Sequence, residues 1–393
     1  MSHGEACGRF TSDQLAGAGR KTIKCDDKNS FTSGGGGRYH LLLKHPLHPP
    51  GRRCGIAGED EESDAMTTAM THAIRIHETG GPEVLRWEAV EVGEPAAGEV
   101  RVRQTAVGLN FIDVYHRSGL YPVPALPCVI GMEAAGVVDA LGGGVSGLER
   151  GQRVAYAGVL GGYAQSRLIK ADRLVPLPDV SDDKTAAAMM LKGMTAQYLL
   201  RRTYRVQKGD TILVHAAAGG VGLILCQWAS HLGAIVIGTV GTEEKAALAR
   251  THGCAHPIVY TRENFAERVR EITGGEGVAV VYDAVGKDTF EGSLDCLRPM
   301  GMLVSFGNAS GPVPPFEPGV LAQKGSLFLT RPTLMTYTAK AEDLQASAAE
   351  LFDVVASGAV AITIDQTYPL KDTAQAHRDL EARKTTGSTV LVP

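Results

Sequence analysis

Paired cysteines, long apolar runs and a dominant charge are what this sequence lacks. Its seven cysteines are scattered and form no CxxC pair, which excludes a disulfide scaffold and the common structural zinc spacings. Cys7, Cys25 and Cys54 fall in an atypical N-terminal stretch. Cys128, Cys226, Cys254 and Cys296 read as buried or incidental thiols, so the expected compartment is the reducing cytoplasm. No apolar run is long enough to cross a bilayer, and no membrane partner is expected. The first residues do not pass from a charged to an apolar region as a secretory signal does. A net charge of -4 offers no basic stripe, so no nucleic-acid partner is expected. Aromatics make up only 6% of the chain, but apolar residues reach 44% and charged residues 21%. That is the balance of a globular protein with a large core, and 393 residues suggest two or three domains.

Residues 1–69 stand apart. They hold Gly34–Gly37, a His/Pro-rich patch from His45 to Pro50 and an acidic run from Glu59 to Glu62, with no sustained apolar period. A disordered extension is expected. His40, His45, His48 and Cys54 fit no zinc spacing. Met66 and Met70 precede the first good strand and are alternative starts. A targeting extension is the rival reading, and the acidic run argues against it.

Glycine is abundant, at 48 residues. From Thr71, short alternating strands separated by glycine turns (Ala73–Ile76, Glu99–Arg103, Gly136–Leu141, Arg153–Ala157) predict a β-barrel-like module. Residues 182–203 read as helical. The apolar run Thr211–Val214 then enters the turn His215-Ala216-Ala217-Ala218-Gly219-Gly220-Val221-Gly222, and a helical pattern follows to Leu232. Strand, small-residue turn and helix form the opening of a dinucleotide-binding unit. A pyrophosphate must approach backbone N–H groups at a helix N-terminus, and side chains would block it. Gly219 and Gly220 leave the approach open, and Gly222 lets the helix lie close on the sheet. Strands then alternate with helices: Ala234–Val240, a helix Glu243–His252, Ile258–Tyr260, a helix Phe265–Ile272, Val278–Asp283, a helix from Gly286 through Leu297, Met302–Phe306 and Ser326–Thr330. This run predicts a doubly wound parallel sheet, so the fold class is α/β. Helices at Ala341–Ser357 and Thr373–Arg383 and a last strand Thr389–Val392 complete the chain.

An NAD site usually ends its second strand with an acid for the ribose 2′-OH. Here that end reads Thr239-Val240-Gly241-Thr242, and Lys245 follows in the next turn. A missing carboxylate and a nearby cation favour the 2′-phosphate of NADPH. Lys245 could equally be a solvated helix lysine, and Tyr260 either a neighbour of the adenosine phosphate or a strand-end aromatic.

A barrel-like module, a nucleotide unit opened by A-x-x-G-G-V-G and a return to the first module resemble the medium-chain dehydrogenase/reductase superfamily. Within it, the chain resembles the zeta-crystallin-like quinone oxidoreductases. The resemblance rests on Gly108–Tyr121, Gly131–Gly136, Leu191–Thr195, His215–Gly222 and Val304–Asn308, and it runs from about Thr71 to Pro393. It implies a GroES-like catalytic domain (residues 70–193 and 331–393) and a Rossmann NADPH-binding domain (residues 194–330). It further implies an NADPH-dependent reductase with a small-molecule quinone as partner, and a homodimer through the sheet edge near Ser326–Thr330. Asn110, Met132 and Lys192 stand where zinc-bearing relatives hold or approach metal ligands, and the four-cysteine lobe is absent. Asn, Met and Lys do not make a zinc site, so a zinc-free enzyme is expected.

The resemblance also supplies site residues. Asn110, Tyr115 and Tyr121 are the candidate catalytic residues: Asn110 to bond cofactor or substrate carbonyl, the tyrosines to line the pocket and bond a quinone oxygen. An aromatic core or rim role is the alternative for both tyrosines. Asn110, Phe111, Tyr115, Thr195, Phe306, Gly307 and Asn308 are expected about the nicotinamide and its ribose. Gly219, Gly220 and Val221 are expected on the pyrophosphate, Gly241, Thr242, Lys245 and Tyr260 about the adenosine, and Arg383 near the cofactor or at a solvated helix end. Asp113 and Glu133 read as structural partners, and His116 and His215 as satisfied neutral histidines with no carboxylate partner. Two rival functions remain: an NADPH-dependent enone or enoyl-thioester double-bond reductase, and a non-catalytic NADPH-binding, crystallin-like protein.

Overall fold

The computed structural model describes residues 69–179 and 181–393; the expectations for residues 1–68 lie outside them. The strands are β1 (Ala69–Ile76), β2 (Arg86–Val92), β3 (Glu99–Leu109), β4 (Cys128–Val129), β5 (Glu133–Leu141), β6 (Arg153–Ala157), β7 (Ser166–Lys170), β8 (Val175–Pro176), β9 (Thr211–Val214), β10 (Ile235–Val240), β11 (His256–Val259), β12 (Val278–Asp283), β13 (Leu297–Ser305), β14 (Phe328–Thr330), β15 (Ile364–Pro369) and β16 (Ser388–Val392). The helices are α1 (Phe111–Ser118), α2 (Asp183–Tyr198), α3 (Gly220–His231), α4 (Glu243–Thr251), α5 (Phe265–Ile272), α6 (Phe290–Asp295), α7 (Gly319–Gln323), α8 (Leu334–Tyr337), α9 (Ala341–Ala356) and α10 (Thr373–Glu381).

Residues 211–330 build a six-stranded sheet in the order β11-β10-β9-β12-β13-β14, with every pairing parallel. The strand period of two explains its burial on both faces. Ile212 and Val214 of β9 pack into one apolar layer with α2, α3 and α9, while Leu213 packs into the opposite layer with Val269 of α5 and Leu294 of α6. The other large sheet runs β15-β16-β3-β5-β6-β8, with β7 also pairing to β3, and a small sheet β2-β1-β4 lies beside it. A separate apolar cluster fills this barrel-like part, built on Val100, Val102, Tyr156 and Leu391. The mixture of a parallel, doubly covered sheet and a GroES-like β module is the expected α/β class. Helix α2 packs on β3, β5, β6 and β16 and also on α3 and α9, so it joins the two parts.

Several boundaries differ from the expectation, and local residues explain two of them. The helix after Gly286 stops at Asp295, and Leu297 already pairs with Val278 at the head of β13. Pro299 has no N–H to continue a helix, and Met300 takes a left-handed φ of 60 before the register resumes at Met302. Strand β14 begins at Phe328 rather than Ser326, because Ser326 is itself left-handed, with φ 56.

Candidate active site

A cleft of about 630 Å³ lies where the C-terminal ends of β9, β10 and β13 face α1, α2 and α10. Ligand crevices outside the carboxyl ends of parallel strands are the rule for such sheets. The floor is the glycine turn. Ala216 opens it with a left-handed φ of 54, a strained setting for a residue with a Cβ. A Cβ on Gly222 would stand 2.2 Å from the Ala216 carbonyl oxygen, so only glycine lets α3 start there. A Cβ on Gly220 would meet Lys192 Cδ at 2.7 Å and the Gly387 carbonyl at 3.0 Å. The chain's last strand approaches the same turn, since Gly387 N–H donates to the Ala218 carbonyl at 3.2 Å. The open backbone at the head of α3 is chemically fit for a pyrophosphate.

At one end of the cleft β10 finishes without an acid. Lys245 on α4 donates to the carbonyls of Arg383 (2.9 Å) and Thr385 (3.4 Å), and Arg383 donates to the Tyr260 hydroxyl at 3.3 Å. Neither cation has a carboxylate partner among the described residues. Burial pulls the Lys245 ammonium below its ordinary value, and the like charge of Arg383 pulls it further. Two cations held together without an acid make a seat for a multiply charged anion. Arg383 also carries a left-handed φ of 58. Gly241 lies against the Tyr260 hydroxyl. Thr242 does not line the cleft, and its hydroxyl caps α4 by accepting from Lys245 N–H at 3.3 Å.

At the other end, the aromatic side chains of α1 and its following loop form a wall. The Tyr115 and Tyr121 rings meet edge-on with centroids 5.1 Å apart, and Phe111 lies 6.3 Å from Tyr115. Asn308 holds both phenols at their hydroxyls, donating from its backbone N–H to Tyr115 (2.9 Å) and from its side-chain amide to Tyr121 (3.3 Å). Burial pushes the Tyr115 phenol up to about 12. Thr195, Phe306 and Gly307 line the same part of the cleft. Sequence reading missed Arg331, which donates to the Ser305 carbonyl (2.9 Å) and to the Tyr121 hydroxyl (2.8 Å). Its only sequence signal was a lone cation just after the last strand of the parallel sheet.

Behind this wall two ion pairs form, the buried Glu133 with Lys192 and the buried Arg117 with Glu381. Glu133 accepts from Asn110 Nδ2 (2.8 Å), Leu191 N–H (2.8 Å) and the Lys192 ammonium (3.1 Å). The zinc-competent positions thus hold an amide, the thioether of Met132 and an ammonium already bound to a carboxylate, a donor set unfit for zinc. No group of three potential metal-binding side chains occurs among the described residues. Asp113 accepts from Asn110 N–H (2.9 Å) and from the Tyr163 hydroxyl (2.8 Å). Tyr163 meets His377 Nε2 at 3.0 Å, and His377 Nδ1 lies 3.0 Å from Arg117, which grips Glu381 through two nitrogens at 2.8 Å each. Arginine only donates, so His377 accepts at Nδ1, donates from Nε2 to Tyr163, and Tyr163 donates to Asp113.

The two histidines need correction. His116 is buried but not satisfied: its Nδ1 has no hydrogen-bond partner among the described residues. His215 is satisfied by Thr239 (2.8 Å) and Ser293 (2.9 Å), yet it does have a carboxylate behind it, because Ser293 Oγ lies 3.3 Å from Asp283. Burial keeps both imidazoles below their ordinary value.

Comparison with known proteins agrees with this architecture. Residues 96–179 match the alcohol dehydrogenase GroES-like domain, and residues 220–353 match the domain described as zinc-binding dehydrogenase. A quinone oxidoreductase of Pseudomonas aeruginosa is 55% identical over 325 residues, spanning 82% of this chain and 100% of the relative. A 2-haloacrylate reductase of a Burkholderia species is 50% identical over 332 residues, spanning 82% and 99%. The crystal structure of Escherichia coli quinone oxidoreductase complexed with NADPH superposes with a TM-score of 0.81 at 49% identity, covering 83% of this chain and 100% of that one. About half of all residues shared over the whole length of such relatives, on the same two-part fold, leave one assignment: this chain belongs to the quinone oxidoreductase family of the medium-chain dehydrogenase/reductase superfamily.

Proposed function

We propose that this chain is an NADPH-dependent quinone oxidoreductase that works without metal. The observation that carries the reading is the pairing of an acid-free β10 end, faced by Lys245 and Arg383, with a tyrosine-walled recess at the far end of the same cleft. NADPH supplies two electrons and a proton when bound, and a second proton from water completes the hydroquinone. The chain's own residues need do little, because a quinone is already electrophilic and alignment with exclusion of water dominates. Gly219, Gly220 and Val221 present the turn to the pyrophosphate. Lys245, Tyr260 and Arg383 take the 2′-phosphate side, with Gly241 beside them and Thr242 shaping the helix start. Thr195, Phe306, Gly307 and Phe111 border the nicotinamide. Asn110 is held by Glu133 with its amide oxygen left to accept. Tyr115 and Tyr121, both fixed by Asn308, turn their hydroxyls to the acceptor. Zinc chemistry is not part of this reading, since Asn110, Met132 and Lys192 cannot serve as its ligands.

The test is steady-state turnover of 1,4-benzoquinone with NADPH and with NADH, beside an alkenal, crotonyl-CoA and 2-chloroacrylate. The reading expects quinone turnover with NADPH preferred. Turnover of the unsaturated compounds alone would sink it, and NADPH binding with no turnover of any acceptor would favour the non-catalytic role. The double-bond reductase has one observation in its favour. The 2-haloacrylate reductase relative is as similar as most quinone oxidoreductases compared, and Tyr115, whose phenol keeps its proton at neutral pH, is the group that would protonate the α-carbon.

The proposal extends to organisation. Residues 70–193 with 331–393 form the catalytic part and 194–330 the nucleotide part, with α2 crossing the division. The protein is a cytoplasmic homodimer joined along β14; the support is an edge strand whose Phe328 is 57% exposed. No described helix is long and apolar enough to cross a membrane.

A further inference from the structure

The charges lining the cleft can be assigned one by one, and one is left over. The cations are Lys192, Lys245, Arg331 and Arg383, and the acids are Asp288 and Glu381. Lys192 is paired with Glu133 and Glu381 with Arg117. Lys245 and Arg383 stand together at the adenosine end. Arg331 remains. It is exposed to the cleft and fixed by two hydrogen bonds, yet neither Asp288 nor Glu381 bonds it, and it has no carboxylate partner among the described residues. The groups beside it are phenols. Tyr121 accepts from Arg331 and Asn308, and Tyr115 accepts from Asn308. Neither phenol donates to any described acceptor, so both O–H protons are free to point into the recess. Burial raises the Tyr115 and Tyr198 phenols, and the Arg331 charge opposes that rise in both, as a cation beside the recess would.

We propose that Arg331 makes the acceptor end of the cleft selective for acceptors carrying an anionic group, a carboxylate or sulfonate on or beside the reducible unit. The inference rests on the reading of this recess as the acceptor site. A planar guanidinium with two nitrogens on protein oxygens still has N–H groups to spend, and an anion that can offer them oxygens, as a carboxylate or a sulfonate does, is what they match. Two phenol protons beside it add neutral donors and no competing negative charge. Arg331 acts here as a specificity-determining residue that touches the acceptor, whatever bond is reduced.

The experiment compares 1,4-naphthoquinone with 1,4-naphthoquinone-2-sulfonate for the wild-type chain, Arg331→Met and Arg331→Lys, with NADPH saturating. Intrinsic reactivity cancels in the ratio of the two kcat/KM values taken between variants. Arg331→Met is expected to lower that ratio at least tenfold, through the KM for the sulfonate. Arg331→Lys should keep part of the preference, and added salt should shrink it in the wild type. An unchanged ratio, or a loss carried by the KM for NADPH, overturns the proposal. A second readout needs no turnover: calorimetric binding of naphthalene-1-sulfonate to the NADP⁺-loaded full chain. If no quinone is reduced but this anion binds and Arg331→Met weakens it tenfold, the quinone reading fails and the anion site stands. If neutral quinones are reduced but the anion binds wild type and Arg331→Met alike, the anion site fails and the quinone reading stands. Unchanged NADPH affinity in the variants shows that they are folded.

Discussion

Lys245 is the residue proposed to choose between the two nicotinamide dinucleotides. It meets only carbonyl oxygens and a neighbouring cation, so an incoming phosphate gains a charge-assisted bond that a bare hydroxyl does not. Such bonds are worth roughly 1.5–3 kcal/mol, so Lys245→Ala should weaken NADPH by about ten- to a hundredfold and NADH far less. Equal losses in fluorescence titrations of the two cofactors would remove Lys245 from the 2′-phosphate. The buried chain behind the acceptor wall makes a different residue-scale prediction. Burial pushes the Asp113 carboxyl up from 3.8 to about 7, so the folded protein holds a proton that the unfolded chain has released, and this contribution to stability is lost as pH rises to about 7. Burial, then the Arg117 charge, push His377 down from 6.5 to about 3, so its contribution is lost as pH falls from 6.5 toward 3. Urea midpoints followed against pH should therefore gain slope between about pH 4 and 7 in Asp113→Asn and lose slope below pH 6.5 in His377→Gln. Matching shifts in the two variants would contradict the assignment. The sequence singled out Asp113 as structural but gave no hint of its partners. Tyr163 is 50 residues away and His377 lies 214 residues beyond Tyr163, and no local period links such positions. Lys245 was legible for the opposite reason, because strand end and helix start are neighbours in the chain.

Glycines in one turn do unequal work at the scale of the element. Gly222 abuts backbone, which cannot yield, whereas Gly220 abuts the flexible Lys192 side chain as well as the Gly387 carbonyl. Gly222→Ala should cost about 1–3 kcal/mol of stability by overpacking, while Gly220→Ala should cost less stability but still obstruct the dinucleotide. Urea unfolding beside NADPH titration separates the two, and an undisturbed Gly222→Ala would mean α3 can shift off the sheet. This turn was readable from the sequence because its demand is local: small residues between an apolar strand and an apolar helix. The start of β13 was not, because the apolar residues around Leu297 suit helix and strand alike. There Pro299 and the tertiary pairing with β12 decide. Asn308 illustrates the same limit in the site itself. The family motif placed it near the nicotinamide, but no local pattern announced its hydrogen bonds to Tyr115 and Tyr121.

For the molecule as a whole, the exposed edge at β14 sets the expected assembly. Phe328→Lys places a charge on that edge and should shift sedimentation of the protein from dimer to monomer; a monomeric wild type would refute the pairing outright. The fold class and the alternation of strands and helices were legible, since both follow from periodicity and glycine spacing; the return of the chain to its first module came with the family resemblance. Which surface closes the cleft was not, because it depends on where the final residues land. They land on the glycine turn: Gly387 bonds Ala218, and the carbonyls of Arg383 and Thr385 hold Lys245. A chain emerging from the ribosome would therefore build its parallel sheet well before it can grip a dinucleotide. Premature termination between α9 and Arg383 would release a product with every strand of the nucleotide sheet and an unfinished cofactor seat, so a message truncated near its 3′ end would yield an apoprotein that added NADPH cannot rescue.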